Sequence, residues 1–79
     1  MAKANEKIAE LYEFLITKDA YNVQYRASLA ESYRLIGNYE KAQKTALKII
    51  EVLPGTGLKP DEKEEVRKTV EAFLKTLPY

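Results

Sequence analysis

The sequence contains neither cysteine nor histidine among its 79 residues. The absence of cysteine excludes a disulfide framework, a thiolate nucleophile and a thiolate metal site. The absence of histidine removes the commonest general base and the commonest zinc ligand. We therefore expect no metal, no cofactor and no enzymatic activity, because the serines and threonines have no histidine to activate them.

The sequence also lacks an excess of charge and any long apolar run. Thirteen basic and twelve acidic side chains leave a net charge of +1, whereas binders of nucleic acids or anionic membranes normally carry a basic excess. No apolar run approaches the roughly 18 to 20 residues that span a bilayer, and the charged start does not resemble a signal peptide. Taken as it stands, the sequence predicts a cytoplasmic protein without nucleic-acid binding or membrane insertion. For a fragment of a longer protein, the location of the parent would stay unknown.

The chain has the length of one small domain, and 46% of its residues are hydrophobic, enough for a packed core. Four segments show the apolar periodicity of an α-helix, and none shows the alternation of a strand. The sequence thus predicts a single all-α domain over residues 1–79. Its predicted helices cover about residues 5–18, 22–36, 39–53 and 61–77.

In the first predicted helix, Asn5 is a suitable N-cap, and an amphipathic stripe should face inward. Its members are spaced at i, i+3, i+4 and i+7: Ile8, Leu11, Tyr12 and Leu15. In the fourth, Asp61 and Glu64 fit a capping box. One face of this helix is apolar, with Val66, Val70, Phe73, Leu74 and Leu77. The loop before it, residues 54–60, is rich in glycine and proline.

The second and third helices should form an antiparallel hairpin. Asn22 is a good N-cap for the second, Gly37 can take the left-handed conformation that closes it, and Asn38 can begin the third. So short a connection forces the chain to double back. The residues expected to face inward are Leu29, Ala30, Tyr33 and Ile36 on the second helix, and Ala42, Ala46, Ile49, Ile50 and Leu53 on the third.

Shifting the chain against itself by about 34 residues lays the first helix over the third, with Ile8, Tyr12 and Leu15 over Ala42, Ala46 and Ile49. This is the period of the tetratricopeptide repeat (TPR) family, whose pattern is Trp-x2-Leu-Gly-x2-Tyr, then Ala-x3-Phe, then Pro. The run from Asn22 to Pro54 resembles one complete repeat. The matching positions are Leu29-Ala30-x2-Tyr33, then Gly37-x-Tyr39-x2-Ala42, then Pro54. The departures are Arg26 for the tryptophan, Ala30 for the glycine and Ala46 for the aromatic residue.

The resemblance implies a right-handed superhelix of hairpins, a groove that receives a peptide or protein partner, and a fourth helix that acts as a cap or as a degenerate repeat. The groove face of the second helix would present Gln24, Ala27, Glu31, Arg34 and Leu35. Ala27 and Glu31 replace the lysine and asparagine of the family's carboxylate clamp, so recognition of an acidic C-terminal tail is not implied. An open repeat face could also pair with a second copy in a homodimer.

The sequence contains six tyrosines. Tyr12, Tyr33 and Tyr39 fall at packing positions of the repeat, and we expect them in or near the core. Tyr21, Tyr25 and Tyr79 fall outside the apolar stripes, and an exposed tyrosine suits an interface because it offers rigid area with a polar tip.

The sequence also contains two charged stripes, which we interpret as solvated faces: Glu6, Glu10 and Glu13 on the first helix, and Lys41, Lys44 and Lys48 on the third. A sharper hypothesis is that the two stripes lie side by side on the convex surface and attract each other. The alternative to an interaction module is a structural or assembly element of a larger enzyme or membrane protein, with no free ligand of its own. A small nucleic-acid binder is a third reading, against which the net charge counts.

Overall fold

The structure, a computed structural model, describes residues 2–78. Within this range the protein is all-α, as predicted, with four α-helices and no strand. Helix α1 covers Ala2–Lys18, α2 Val23–Ile36, α3 Tyr39–Val52 and α4 Pro60–Leu74. One 3-10 turn, Leu53–Gly55, follows α3.

The corner between α2 and α3 forms as the sequence suggests. Gly37 has φ +93°, in the left-handed region, and the N–H of Asn38 donates to the carbonyl of Tyr33 at 2.9 Å. The Asn38 side chain then accepts the N–H of Lys41 at 3.3 Å. The carbonyls left free at the end of α2 and an amide at the start of α3 are thus satisfied within two residues, and the chain reverses.

Small side chains fill the contact between these two helices. Ala30 and Ala46 belong to one buried cluster, which also contains Ile49 and Val70. Tyr33 and Ala42 belong to the other, with Ala9, Leu29 and Leu77. Later residues of α2 thus pair with earlier residues of α3, which makes the helices antiparallel. Alanine at these positions lets the two backbones approach closely enough to exclude water.

Helix α4 packs against α3 on the same side as α2. Val66 and Val70 lie beside Ile49, and Phe73 lies beside Ala46. Because Val66 lies near Val23 and Phe73 near Ala30, α2 and α4 run in the same direction. No helix in residues 2–78 combines the length and the apolar character needed to cross a bilayer.

Several predicted helix ends were wrong. Helix α1 begins at Ala2, so Asn5 lies inside it and is not its N-cap; Lys3 and Ala4 are good helix formers that extend it. Helix α4 begins one residue early because Pro60 suits the first helical position. The N–H of Lys59 donates to Glu62 Oε1 at 2.9 Å, so Glu62 replaces the expected pair of Asp61 and Glu64.

The other end of α4 is also earlier than predicted, at Leu74 instead of residue 77. The Thr76 hydroxyl donates to the carbonyl of Phe73 at 2.6 Å, and Pro78 disfavours a helical conformation at Leu77. Leu77 nevertheless is buried. The predicted inward position of Leu77 is therefore right although its helical state is not.

The inward face of α1 was misplaced as well. Ala9 is buried, with Tyr12 and Ile16 beside the same cluster, whereas Ile8 is 42% and Leu11 54% exposed. The predicted stripe is apolar, but α2 is the main helix that covers α1, and α2 lies over its adjacent face. Half of the predicted stripe therefore stays at the surface.

We expect Gly37→Ala to lower the free energy of unfolding by about 1–2 kcal/mol, because an L-residue is strained at this φ. No heavy atom lies within 4 Å of the position that a Cβ would take, so the cost is one of backbone conformation alone. Gly37→Asn should lose less, since asparagine tolerates the left-handed region. Urea denaturation of the three proteins measures the difference, and an equal loss for alanine and asparagine would contradict this account.

Candidate functional site

A cleft separates α2 from α4, which make few direct contacts with each other. Two adjoining hollows, of about 180 and 210 Å³, lie along it. The α2 wall contains Val23, Gln24, Ala27, Ala30 and Glu31, the α4 wall Glu65, Val66, Thr69, Val70 and Phe73, and the floor Ala46 and Ile49 of α3. The cleft exists because α3 holds two parallel helices that do not close against each other.

The surface of the cleft is almost wholly apolar. The hydroxyl of Thr69 is engaged, since it donates to the carbonyl of Glu65 at 3.0 Å. No buried side-chain nitrogen or oxygen in the described range lacks a hydrogen-bond partner. The cleft therefore leaves no buried polar group unsatisfied, and what it can do chemically is bury apolar side chains.

Polar groups stand at the rim. Arg34 Nε donates to Glu31 Oε2 at 3.0 Å, and a second bond joins Arg34 to the other carboxylate oxygen in a bidentate pair. This hydrogen bonding, together with the charge of Glu31, raises the pKa of the Arg34 guanidinium. Gln24 and Glu65 flank the other hollow. A partially exposed ion pair of this kind sets the shape of the rim more than the stability of the fold.

The structure brings together three of the five residues predicted for the groove. Gln24, Ala27 and Glu31 line the cleft, and Arg34 reaches it through its bond to Glu31. Leu35 does not belong to the cleft. It is exposed on the side of α2 that faces α1, since position 35 lies one helical turn beyond Glu31 and toward the other flank.

Sequence reasoning missed the α4 wall and the α3 floor. The apolar positions Val66, Val70 and Phe73 were recognised as one face of the fourth helix, but none of them was predicted to line the groove. Val66 and Phe73 are only half-buried. The available signal was the apolar face of α3, which is wide enough to contact two neighbouring helices, α2 and α4.

A third hollow, of about 440 Å³, lies between α1 and α2. It is shallow, and Ile8, Tyr12 and Leu35 supply its apolar surface, with Ser28 and Ser32 between them. The Ser32 hydroxyl is buried and donates to the carbonyl of Ser28 at 3.0 Å. This hollow continues the exposed apolar side of α1.

A polar hollow on the other side of α1 contains part of the predicted charge stripes. Glu6, Glu10, Glu13 and Lys41 line it, and the hydroxyl of Tyr33 donates to the Glu13 carboxylate. Lys41 Nζ lies 5.6 Å from the centre of the Tyr33 ring. Three helices therefore meet at this tyrosine.

The remaining lysines of the stripe do not face α1. Lys44 pairs with Glu40 at 3.2 Å and Lys48 with Glu51 at 3.0 Å, both within α3 and both exposed. Such pairs are neighbours on one helix surface and contribute little. The predicted attraction between two whole stripes was therefore wrong, and Lys41 alone of the three lysines lies beside the glutamates.

The tyrosines predicted as surface contacts have different positions. Tyr21 is 56% exposed, and its ring covers Gly55, where a Cβ would lie 2.6 Å from Tyr21 Cε1. Tyr25 is half-buried against Tyr12, with ring centres 6.0 Å apart, so it is not an exposed contact. Tyr79 lies outside the described residues. Tyr39, expected near the core, is 38% exposed because it begins α3 at the edge of the corner.

Among residues 2–78 no three side chains of the types that commonly bind metal ions come close enough to share one. Comparison with protein families, with curated proteins and with solved structures finds no match to this chain.

Burial, reinforced by the hydrogen bond to Glu13 and by its charge, raises the pKa of Tyr33 to about 12, from an ordinary value near 10. The unfolded chain therefore releases this proton at a lower pH than the folded protein does. The contribution of Tyr33 to stability is complete below pH 10 and should be lost between about pH 10 and pH 12.

Comparison with Tyr33→Phe tests this expectation, because other groups also titrate in that range. At pH 8 the variant should be less stable by about 1 kcal/mol, the usual cost of one lost hydrogen bond. The difference between the two proteins in urea midpoint should shrink as the pH approaches 12. A difference that stays constant over this range would show that the Tyr33 proton is not linked to folding.

Proposed function

We propose that this protein is a non-catalytic protein-interaction module of the tetratricopeptide type, which binds a segment of a partner polypeptide in the cleft between α2 and α4. The spacing of Leu29, Tyr33, Gly37 and Ala42 supports the assignment to the family, together with the 34-residue repeat. The hairpin of α2 and α3 and the parallel course of α2 and α4 are consistent with it.

The observation that carries the proposal is the open apolar cleft itself. Each hollow is smaller than the roughly 300 Å³ at the lower end of small-molecule sites, and neither contains the converging polar groups that orient a small ligand. Two adjacent apolar hollows on a rigid helical frame instead suit two anchor side chains of a peptide or helix. Together the two hollows extend over about two helical turns of α2, from Val23 to Ala30.

The alternative, a structural or assembly element without a free ligand, shares the same fold. It would leave the cleft to a neighbouring part of a larger protein and predicts that no separate peptide binds with useful affinity. Fold alone does not choose between the two, so a binding experiment on the cleft must do so.

Ala27→Trp should weaken peptide binding without unfolding the protein. Ala27 is exposed and lines both hollows, so an indole at this position occupies the space that anchor side chains would enter. Peptides selected from a random displayed library against the full chain serve as probes. They should bind the variant at least about tenfold more weakly, the loss expected when a central anchor is displaced.

Ala72→Trp is the matched control, since Ala72 is an exposed alanine of α4 that lines neither hollow. This variant should bind the selected peptides as the original chain does. In NMR spectra of the original chain, the backbone amide signals of α2 and α4 should shift when peptide is added. Failure to select any peptide, or equal binding by both variants, would refute the cleft as a peptide site and favour the structural alternative.

A further inference from the structure

The outer face of α1 carries an apolar stripe that is exposed except at Leu15, which is half-buried. Ala4, Ile8, Leu11 and Leu15 recur at i, i+4, i+7 and i+11, the spacing of a seam between two packed helices. Ile8 and Leu11 are exposed, and Phe14, at the edge of the stripe, is 57% exposed. A contiguous exposed apolar patch of this kind usually marks a contact surface.

The internal repeat indicates which kind of structural element packs against such a stripe. The 34-residue shift places Ile8, Tyr12 and Leu15 over Ala42, Ala46 and Ile49. On α3 these three positions are buried, and α2 covers them as an antiparallel helix. On α1 the equivalent residues are less covered: Tyr12 packs beside the core, Leu15 is half-buried and Ile8 is exposed. The stripe therefore has the pattern of a surface that packs against one helix.

We propose that a second copy of this chain covers the stripe, with the two α1 helices packed antiparallel across a two-fold axis. The opposite end of the molecule excludes a head-to-tail arrangement. The outward face of α4 is charged along its length, at Asp61, Glu64, Lys68, Glu71 and Lys75, and all of these side chains are exposed. Burying them against an apolar stripe would leave charges unpaired. The stripe instead finds its complement in itself, as in an isologous interface.

The sequence of α1 fits the antiparallel register. In that arrangement Ile8 of each copy packs against Leu11 of the other, and Ala4 packs against Leu15, so that a small side chain meets a large one. Lys7 of each copy then lies beside the exposed ring of Phe14 on the other. A lysine over an aromatic face is attractive, and within one chain the same ring already has Lys18 Nζ at 5.4 Å from its centre. The edge of the seam is thus complementary as well as its centre.

Sedimentation over a range of concentrations tests the dimer. The original chain should form dimers reversibly, and Leu11→Glu should raise the dissociation constant by roughly tenfold or more, since it places a charge at the centre of the seam. Leu47→Glu is the matched control: Leu47 is a leucine of similar exposure, 47%, on the outer face of α3, and the variant should dimerise as the original does. A chain that stays monomeric up to about 1 mM, or equal weakening by both substitutions, overturns the proposal.

Disulfide formation tests the orientation, because the chain contains no cysteine of its own. A mixture of Ala4→Cys and Leu15→Cys chains should form mixed disulfides under mild oxidation. Each variant alone should not, since two copies of position 4 lie about 16 Å apart along antiparallel helices. Disulfides within each single variant, without mixed ones, would show a parallel pair and overturn the antiparallel seam. Neither experiment involves the cleft between α2 and α4, so its result is independent of the peptide-binding proposal.

Discussion

The close contact between α2 and α3 determines the positions of the other two helices. Ala30, Ala42 and Ala46 are each at most 1% exposed, and their small side chains let the two helices approach until no space remains for water. Gly37 sets the direction of the return, because only a left-handed residue satisfies the end of α2 within so short a corner. With this pair in place, α1 packs against α2 and α4 against α3, so each outer helix depends on a surface that the inner pair creates.

The parts of the fold that sequence reasoning predicted well are those with local causes. The caps at Asn22 and Asn38 and the end of α2 at Gly37 each require only a few neighbouring residues, and the structure has them where the sequence places them. The inward positions of α2 and α3 were also largely right, since each of these helices has neighbours on two sides. Because both sides of each helix are covered, an apolar residue on either side of its wide apolar face is buried.

The errors arose where the outcome depends on a neighbour that the sequence does not specify. The apolar face of α1 is wide, and periodicity alone does not state which part of it α2 covers; the buried part centres on Ala9, not on Ile8 and Leu11. For the same reason, only the α2 wall of the cleft was predicted. Its α2 wall follows from the exposed positions of one helix, whereas its α4 wall depends on how far α4 stands from α2. Assignment to the tetratricopeptide family remains a prediction from the residues.

Both exposed apolar surfaces follow from the thinness of the molecule. Its Cα atoms span only 15 Å in the shortest direction, which is two layers of helices. In such an arrangement no helix of residues 2–78 is surrounded, and these residues form no third layer over the two. Apolar area that a third layer would bury therefore stays accessible, on α1 at one edge and between α2 and α4 on one face. The apolar surface thus stays on α1 and in the cleft, whereas the outer face of α4 is charged.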